Sequence, residues 1–240
     1  VKEFPLILDK KTWITPNVLH LAFRSETPFS FVPGEFITFL LDHPEGVKRR
    51  SYSIASLYTD TIDIAISYQK GGVASEALLA LEVGQAIKTA GPFGRLVLKP
   101  EERPKHYILI ATGTGVAPYR AMLPQLETLF HNDPDFKVTL ILGVAYVSEL
   151  LYGEDFIAFA KKHDRFTFKG FISREAIPED NPYLHSGRLQ KVFDTLTPSS
   201  EKDIVYLCGN PAMIDDIFAY LSELGFMPKQ VRREKYISSN

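Results

Sequence analysis

His106-Tyr107-Ile108-Leu109-Ile110-Ala111-Thr112-Gly113-Thr114-Gly115-Val116-Ala117-Pro118 is an apolar run that breaks at two glycines and resumes with helical spacing. Residues 106–111 have the length and continuous apolarity of a strand buried on both faces. The pattern beyond predicts a helix over 116–130. Glycines at a strand-to-helix turn let backbone approach a pyrophosphate, and the helix N-terminus supplies unpaired N–H donors and a favourable dipole. The third glycine of the usual dinucleotide fingerprint is missing. Pro118 stands there, in a first helical turn where its absent N–H costs nothing. Taken by itself, the turn fits an ordinary tight connection equally well.

The pattern downstream repeats this unit. Strands are expected at 137–144, 165–171 and 203–209, and helices at 149–162, 187–195 and 211–224. Strand–helix alternation implies a Rossmann-like parallel sheet with ligands at the carboxyl ends of its strands. Upstream the periodicity changes. VLHLAFR (18–24), EFITFLL (35–41), RSYSIAS (50–56) and TIDIAISY (61–68) are rich in β-branched and aromatic residues. Turn signals at Pro33-Gly34, Gly71-Gly72 and Gly91-Pro92 separate such runs, and one short helix is expected at 73–81. Many short strands so spaced predict an antiparallel β-barrel. The charged stretch KPEERPK (99–105) reads as the linker, which sets domains at 1–101 and 102–240.

Composition narrows the class. The 240 residues are 45% hydrophobic, enough for one large core or two small ones. Charge is nearly balanced, 27 Lys+Arg against 29 Asp+Glu, without a like-charge block, so a nucleic-acid surface is not signalled. Cys208 is the single cysteine, which excludes an internal disulfide framework and a thiolate-held iron–sulfur cluster. No apolar run reaches the length of a membrane span, and the first residues lack a signal-peptide layout; a cytoplasmic location is the expectation.

Four segments, taken together, resemble the ferredoxin–NADP reductase family over essentially the whole chain. They are Arg50-Ser51-Tyr52-Ser53, Gly71-Gly72-Val73-Ala74-Ser75, the Gly113–Pro118 turn, and Cys208-Gly209-Asn210-Pro211. The resemblance implies an FAD-binding barrel, an NAD(P)-binding α/β half, and a flavin ring at their junction. It assigns Arg50 and Ser51, with Gly72, Val73, Ala74 and Ser75, to the FAD diphosphate side. Tyr52 lies against the flavin ring in this reading, and Ser53 near its N5. Backbone of Ile66, Ser67 and Tyr68 lines the ring edge, with Thr114 also close to FAD. Taken alone, Arg49-Arg50 reads as a solvated basic pair and Tyr52 as a strand aromatic.

The same resemblance places Gly113, Thr114, Gly115, Cys208, Gly209 and Pro211 around the nicotinamide dinucleotide. Cys208 approaches nicotinamide C4 and helps to position hydride transfer to flavin N5. Tyr236, near the end of Val231–Tyr236, is expected to cover the flavin face that nicotinamide must use. Glu234 is a candidate for proton delivery or, equally, a surface residue of the last strand. Ser173-Arg174 and Arg188 match the 2′-phosphate motif, whereas Ala145 stands where a further arginine is expected. NADP(H) is therefore favoured, with NAD(H) as the alternative. The implied function is electron transfer between NADP(H) and ferredoxin or flavodoxin. An NAD(P)H:flavin reductase or an oxygenase reductase component is the alternative, and a non-catalytic flavin module a third. No metal site is expected, and no motif speaks to oligomeric state.

Overall fold

The computed structural model describes residues 2–237, in two compact units. The first consists of residues 2–98 together with Ala117–Met122, and the second of Lys99–Val116 and residues 123–237.

The first unit holds β1 (Glu3–Thr15), β2 (Val18–Arg24), β3 (Phe36–Leu41), β4 (Lys48–Ser53), β5 (Ile62–Ser67), α1 (Val73–Ala80) and β6 (Ala86–Phe93). Its strands form one antiparallel sheet in the order β4-β3-β6-β1-β2-β5. Alternate residues Leu6, Leu8, Leu19, Leu21, Phe23 and Phe39 fill its core, as period-two strands curled about one face must. No ladder joins the two edge strands. Instead Ala55 N–H donates to Asp63 O (2.8 Å), and Asp63 N–H donates to Ser56 Oγ (2.7 Å). The longest strand, β1, was not among the runs expected from sequence. A register shift between Leu8 and Lys10 breaks its alternation just where the polar stretch Asp9-Lys10-Lys11 begins, and such a bulge hides a strand from any period-two search.

The second unit holds β7 (His106–Thr112), α2 (Ala117–Asn132, begun in the first unit), β8 (Lys137–Val144), α3 (Gly153–Lys162), β9 (Phe166–Ile172), β10 (Leu184–Ser186), β11 (Asp203–Gly209), α4 (Pro211–Glu223) and β12 (Val231–Lys235). Every pairing is parallel, in the order β10-β9-β8-β7-β11-β12. Two expectations need correction. Residues 187–195 form the six-residue 3₁₀ turn Leu189–Asp194 rather than an α-helix. Its buried residues Leu189 and Val192 are three apart, a spacing that both helix types share. The helix expected from 149 begins at Gly153, after a short 3₁₀ turn at Val147–Glu149 and a left-handed Tyr152.

Among the described residues no helix is long and apolar enough to cross a membrane, and no group of three or more His, Cys, Asp or Glu could hold a metal ion.

Candidate functional site

Strand order in the parallel sheet reverses between β7 and β11, and a crevice at such a switch point is where open α/β sheets take ligands. The two strand ends are knitted together there. Asn210 N–H donates to Thr112 Oγ1 (2.8 Å). A Cβ on Gly115 would lie 2.4 Å from the Cys208 carbonyl oxygen, and one on Gly209 (φ +121°) 2.5 Å from Thr112 Oγ1. Only glycine permits this approach at either position. Two helices start at this point, and they differ. Asn210 caps α4 by accepting from Met213 N–H (3.1 Å), and Pro211 brings no donor. The N-terminus of α2, reached through Gly113, Thr114 and Gly115, has no side-chain cap. The 3₁₀ turn Gly113–Val116 runs straight into this helix, whose Pro118 likewise brings no donor, and the backbone of the glycine turn suits a dinucleotide pyrophosphate.

β11 and β12 bring Cys208, Glu234 and Tyr236 together, with Cys208 and Glu234 opposite each other in register. Cys208 is fully buried. Burial pushes its thiol well up, the Glu234 carboxylate adds to this, and a hydrogen bond from the Tyr236 hydroxyl works against both. A thiol so held stays neutral at physiological pH and is no nucleophile. Tyr236 N–H donates to Gly209 O (2.8 Å), continuing the strand by one residue.

At the carboxyl ends of β8, β9 and β10, Ser173 N–H donates to Val144 O (3.0 Å), Arg174 N–H to Ala145 O (2.9 Å) and Gly187 N–H to Ile172 O (2.7 Å). Arg174 and Arg188 thereby come to the same edge of the sheet from different loops. Both are exposed, and neither has an ion pair or side-chain hydrogen bond among the described residues. The nearby carboxylates are engaged with backbone: Glu149 Oε2 accepts from Ala145 N–H (3.1 Å) and Glu175 Oε2 from Val147 N–H (2.9 Å). Two unneutralised guanidinium groups suit a phosphate monoester. The part played by Glu149 was not legible in the sequence. Its capping partner is Tyr146 rather than the Ser or Thr that would mark such a turn.

In the first unit the motif Arg50-Ser51-Tyr52-Ser53 closes β4. Arg50 Nη1 donates to Arg49 O (2.9 Å), and the side chain has no carboxylate partner among the described residues. Ser51 Oγ shares a hydrogen bond with Thr38 Oγ1 (2.9 Å), and Ser53 is buried. Tyr52 packs on Phe39 with ring centroids 5.8 Å apart. Burial pushes its phenol up to about 12, against the opposing effect of Arg50. On β5, Ile66 points into the core and Ser67 is exposed. Tyr68 N–H donates to Asn17 O (2.8 Å), and its ring meets Trp13 edge-on at 5.6 Å.

Gly72 opens α1 with no side-chain cap, so the first amides of the helix, at Val73 and Ala74, have no side-chain acceptor. Ser75 Oγ accepts from Gln69 N–H (2.9 Å), which leaves its own proton to donate. An arginine without a carboxylate partner among the described residues and a helix start without a side-chain cap fit the diphosphate of a flavin dinucleotide. Sequence reasoning missed Glu76. Its carboxylate accepts from Gly71 N–H (2.8 Å) and Tyr68 O–H (2.9 Å), and these bonds hold its pKa down and tie the 68–76 loop to α1.

Comparison with known proteins agrees with both halves. Residues 5–98 match an oxidoreductase FAD-binding domain and residues 109–218 an oxidoreductase NAD-binding domain. The chain is 28% identical to the toluate 1,2-dioxygenase electron transfer component of Pseudomonas putida, over 94% of this chain and 65% of that protein. It is 35% identical to a ferredoxin–NADP reductase of a Picosynechococcus strain, over 90% of this chain and 62% of the relative. The chain thus spans a little under two thirds of the length of the first curated relatives it matches. A solved ferredoxin–NADP reductase from Neisseria gonorrhoeae, with bound FAD and NADP, shares the fold at a TM-score of 0.83 and 24% identity, covering 98% of this chain and 99% of that one. An antiparallel FAD-binding half followed by a parallel NAD-binding half, matched in that order along the sequence, makes this chain an oxidoreductase with FAD-binding and NAD-binding domains, similar to the ferredoxin–NADP reductases.

Proposed function

We propose that this chain is a flavin-dependent oxidoreductase that passes electrons between NADP(H) and a one-electron carrier such as ferredoxin or flavodoxin. The observation that carries the reading is the pair of unneutralised arginines, Arg174 and Arg188, on the same sheet whose switch point holds the uncapped start of α2. Bound FAD would supply hydride exchange with nicotinamide and single-electron exchange with the carrier.

The residues of the chain bind and orient. Arg50, with the amides of Val73 and Ala74 and the Ser75 hydroxyl, holds the FAD diphosphate. Tyr52 and Ser53, with backbone of Ile66, Ser67 and Tyr68, hold the ring. Gly113, Thr114 and Gly115 receive the dinucleotide pyrophosphate beside Gly209 and Pro211. Cys208, kept neutral, offers a small uncharged surface to nicotinamide. Tyr236 gives up its bond to Cys208 when nicotinamide enters, and Glu234, opposite Cys208 in register, serves proton delivery. Arg174 and Arg188, with Ser173, take the 2′-phosphate; Ala145 contributes no charge, so these two arginines carry the preference for NADP(H) over NAD(H).

Anaerobic stopped-flow reduction of the FAD-loaded protein by NADPH and by NADH tests the reading. NADPH should be preferred at least tenfold in apparent affinity. Equal behaviour of the two would refute the phosphate clamp, and absence of reduction by both would refute the function. A second reading, a reductase component of an oxygenase, is favoured by the similarity to the toluate dioxygenase component. Electron delivery to ferredoxin and flavodoxin separates the two: activity with neither carrier selects the second reading.

A further inference from the structure

We propose that Arg120 is a positioning residue for hydride transfer, locking the first turns of α2 to the end of the strand that carries Tyr52 and Ser53. The inference rests on the flavin–nicotinamide reading above. Ala117–Met122 cluster with the first unit although they open α2. Within that unit the Arg120 side chain is only 14% exposed. Its Nη1 donates to Ala55 O (2.9 Å) and reaches Asp63 Oδ2 (3.3 Å). Ala55 and Ser56 are buried and follow Ser53 and Ile54 directly.

Asp63 is itself bound to the same segment in two ways. Its carbonyl accepts from Ala55 N–H, its own N–H donates to Ser56 Oγ, and its carboxylate neutralises the guanidinium. His20 Nε2 lies 3.9 Å from the same carboxylate oxygen. A guanidinium is rarely buried without such satisfaction, and here its partners are Ala55, two residues beyond the end of β4, and Asp63 of β5. Arg120 also stands two residues after Pro118 and five after Gly115. Within one unit, one side chain therefore holds the backbone that follows Ser53 to the first turn of α2. Displacement of reacting groups by about 1 Å can lower a rate on the order of a hundredfold, so such a tie would act on the chemical step rather than on affinity.

The test compares FAD-loaded wild type, R120M and R120K by anaerobic stopped-flow over a range of NADPH concentrations. In R120M, FAD should stay bound and the NADPH dissociation constant should stay within threefold. The limiting rate of flavin reduction should fall at least tenfold, and the long-wavelength charge-transfer absorbance seen on mixing should weaken. R120K should recover both to within threefold, because a single nitrogen makes both contacts and an ammonium can replace it. Reduction of R120M at the wild-type rate overturns the proposal. So does joint loss of FAD and NADPH affinity that R120K fails to restore, since that marks a purely structural role. If R120M does not fold, D63N serves instead, with a fall of at least threefold expected and an unchanged rate overturning the idea. Wild type that neither NADPH nor NADH reduces would instead remove the functional reading on which the proposal stands.

Discussion

Replacing Lys11 with Met tests how the short helix α1 is held in place. Lys11 Nζ donates to Leu79 O (2.5 Å) and Leu81 O (2.6 Å), the carbonyls at the C-terminal end of α1. That helix has eight residues and no basic residue of its own in its last turn. Eight residues are too few to be helical without tertiary support. A charge-assisted hydrogen bond contributes about 1.5–3 kcal/mol, and a cation at a helix C-terminus about 0.3–1 kcal/mol. Lys11 is half-buried, so water would partly replace it at the two carbonyls, and a loss of about 2 kcal/mol is expected from the lower ends of those ranges. At 1.4 kcal/mol per factor of ten, this is roughly a thirtyfold increase in local opening of α1. Methionine keeps most of the alkyl packing, so the change reports on the ammonium. The assay is amide hydrogen exchange at Leu81, whose N–H donates to Ala77 O (3.1 Å), alongside urea unfolding. Lys11→Arg should retain most of the protection. Exchange at Leu81 within threefold of wild type in Lys11→Met, with stability within about 0.5 kcal/mol, would refute the reasoning.

Three further outcomes are expected. Gly115→Ala places a Cβ 2.4 Å from the Cys208 carbonyl oxygen; overpacking of this kind costs about 1–3 kcal/mol, and an unchanged melting temperature together with unchanged NADPH affinity would contradict the close approach. Arg174→Ala with Arg188→Ala should weaken NADPH binding about tenfold or more, through loss of charge-assisted contacts, and leave NADH within twofold; equal loss for both dinucleotides, measured by titration, would count against the clamp. Glu76 has its pKa lowered by Gly71 N–H first and Tyr68 O–H second. Its contribution is therefore complete above the ordinary carboxylate value near 4.5 and is lost as pH falls through the lowered folded value. FAD retention followed from pH 6 to 3 should show an acid step that Glu76→Gln removes, and an identical profile in the variant would exclude this carboxylate.

Apolar periodicity carried much of the architecture. The continuous run 106–111, the strands at 137–144 and 203–209, and the helix starts near 116 and 211 were legible because buried strands and amphipathic helices leave their period in a single sequence. β1 was not, because the bulge between Leu8 and Lys10 resets its alternation. The turn Leu189–Asp194 looked α-helical because two buried residues three apart satisfy either helix type.

The site divides along the same physical line. By itself the sequence determined where glycine is needed and which motif residues occur: Gly115 and Gly209 beside Cys208, and Arg50 to Ser53 on their strand. Local backbone geometry demands those residues, and the demand is written in the chain where it acts. Tertiary structure alone decided which charges remain unpaired and which are used. Lys11 meets carbonyls 68 and 70 residues away, and Arg120 meets partners 65 and 57 residues away. In the sequence each reads as one more solvated charge. A polar side chain acquires its role from the group that strand order and register bring opposite it, and hydrophobic periodicity carries no record of that partner.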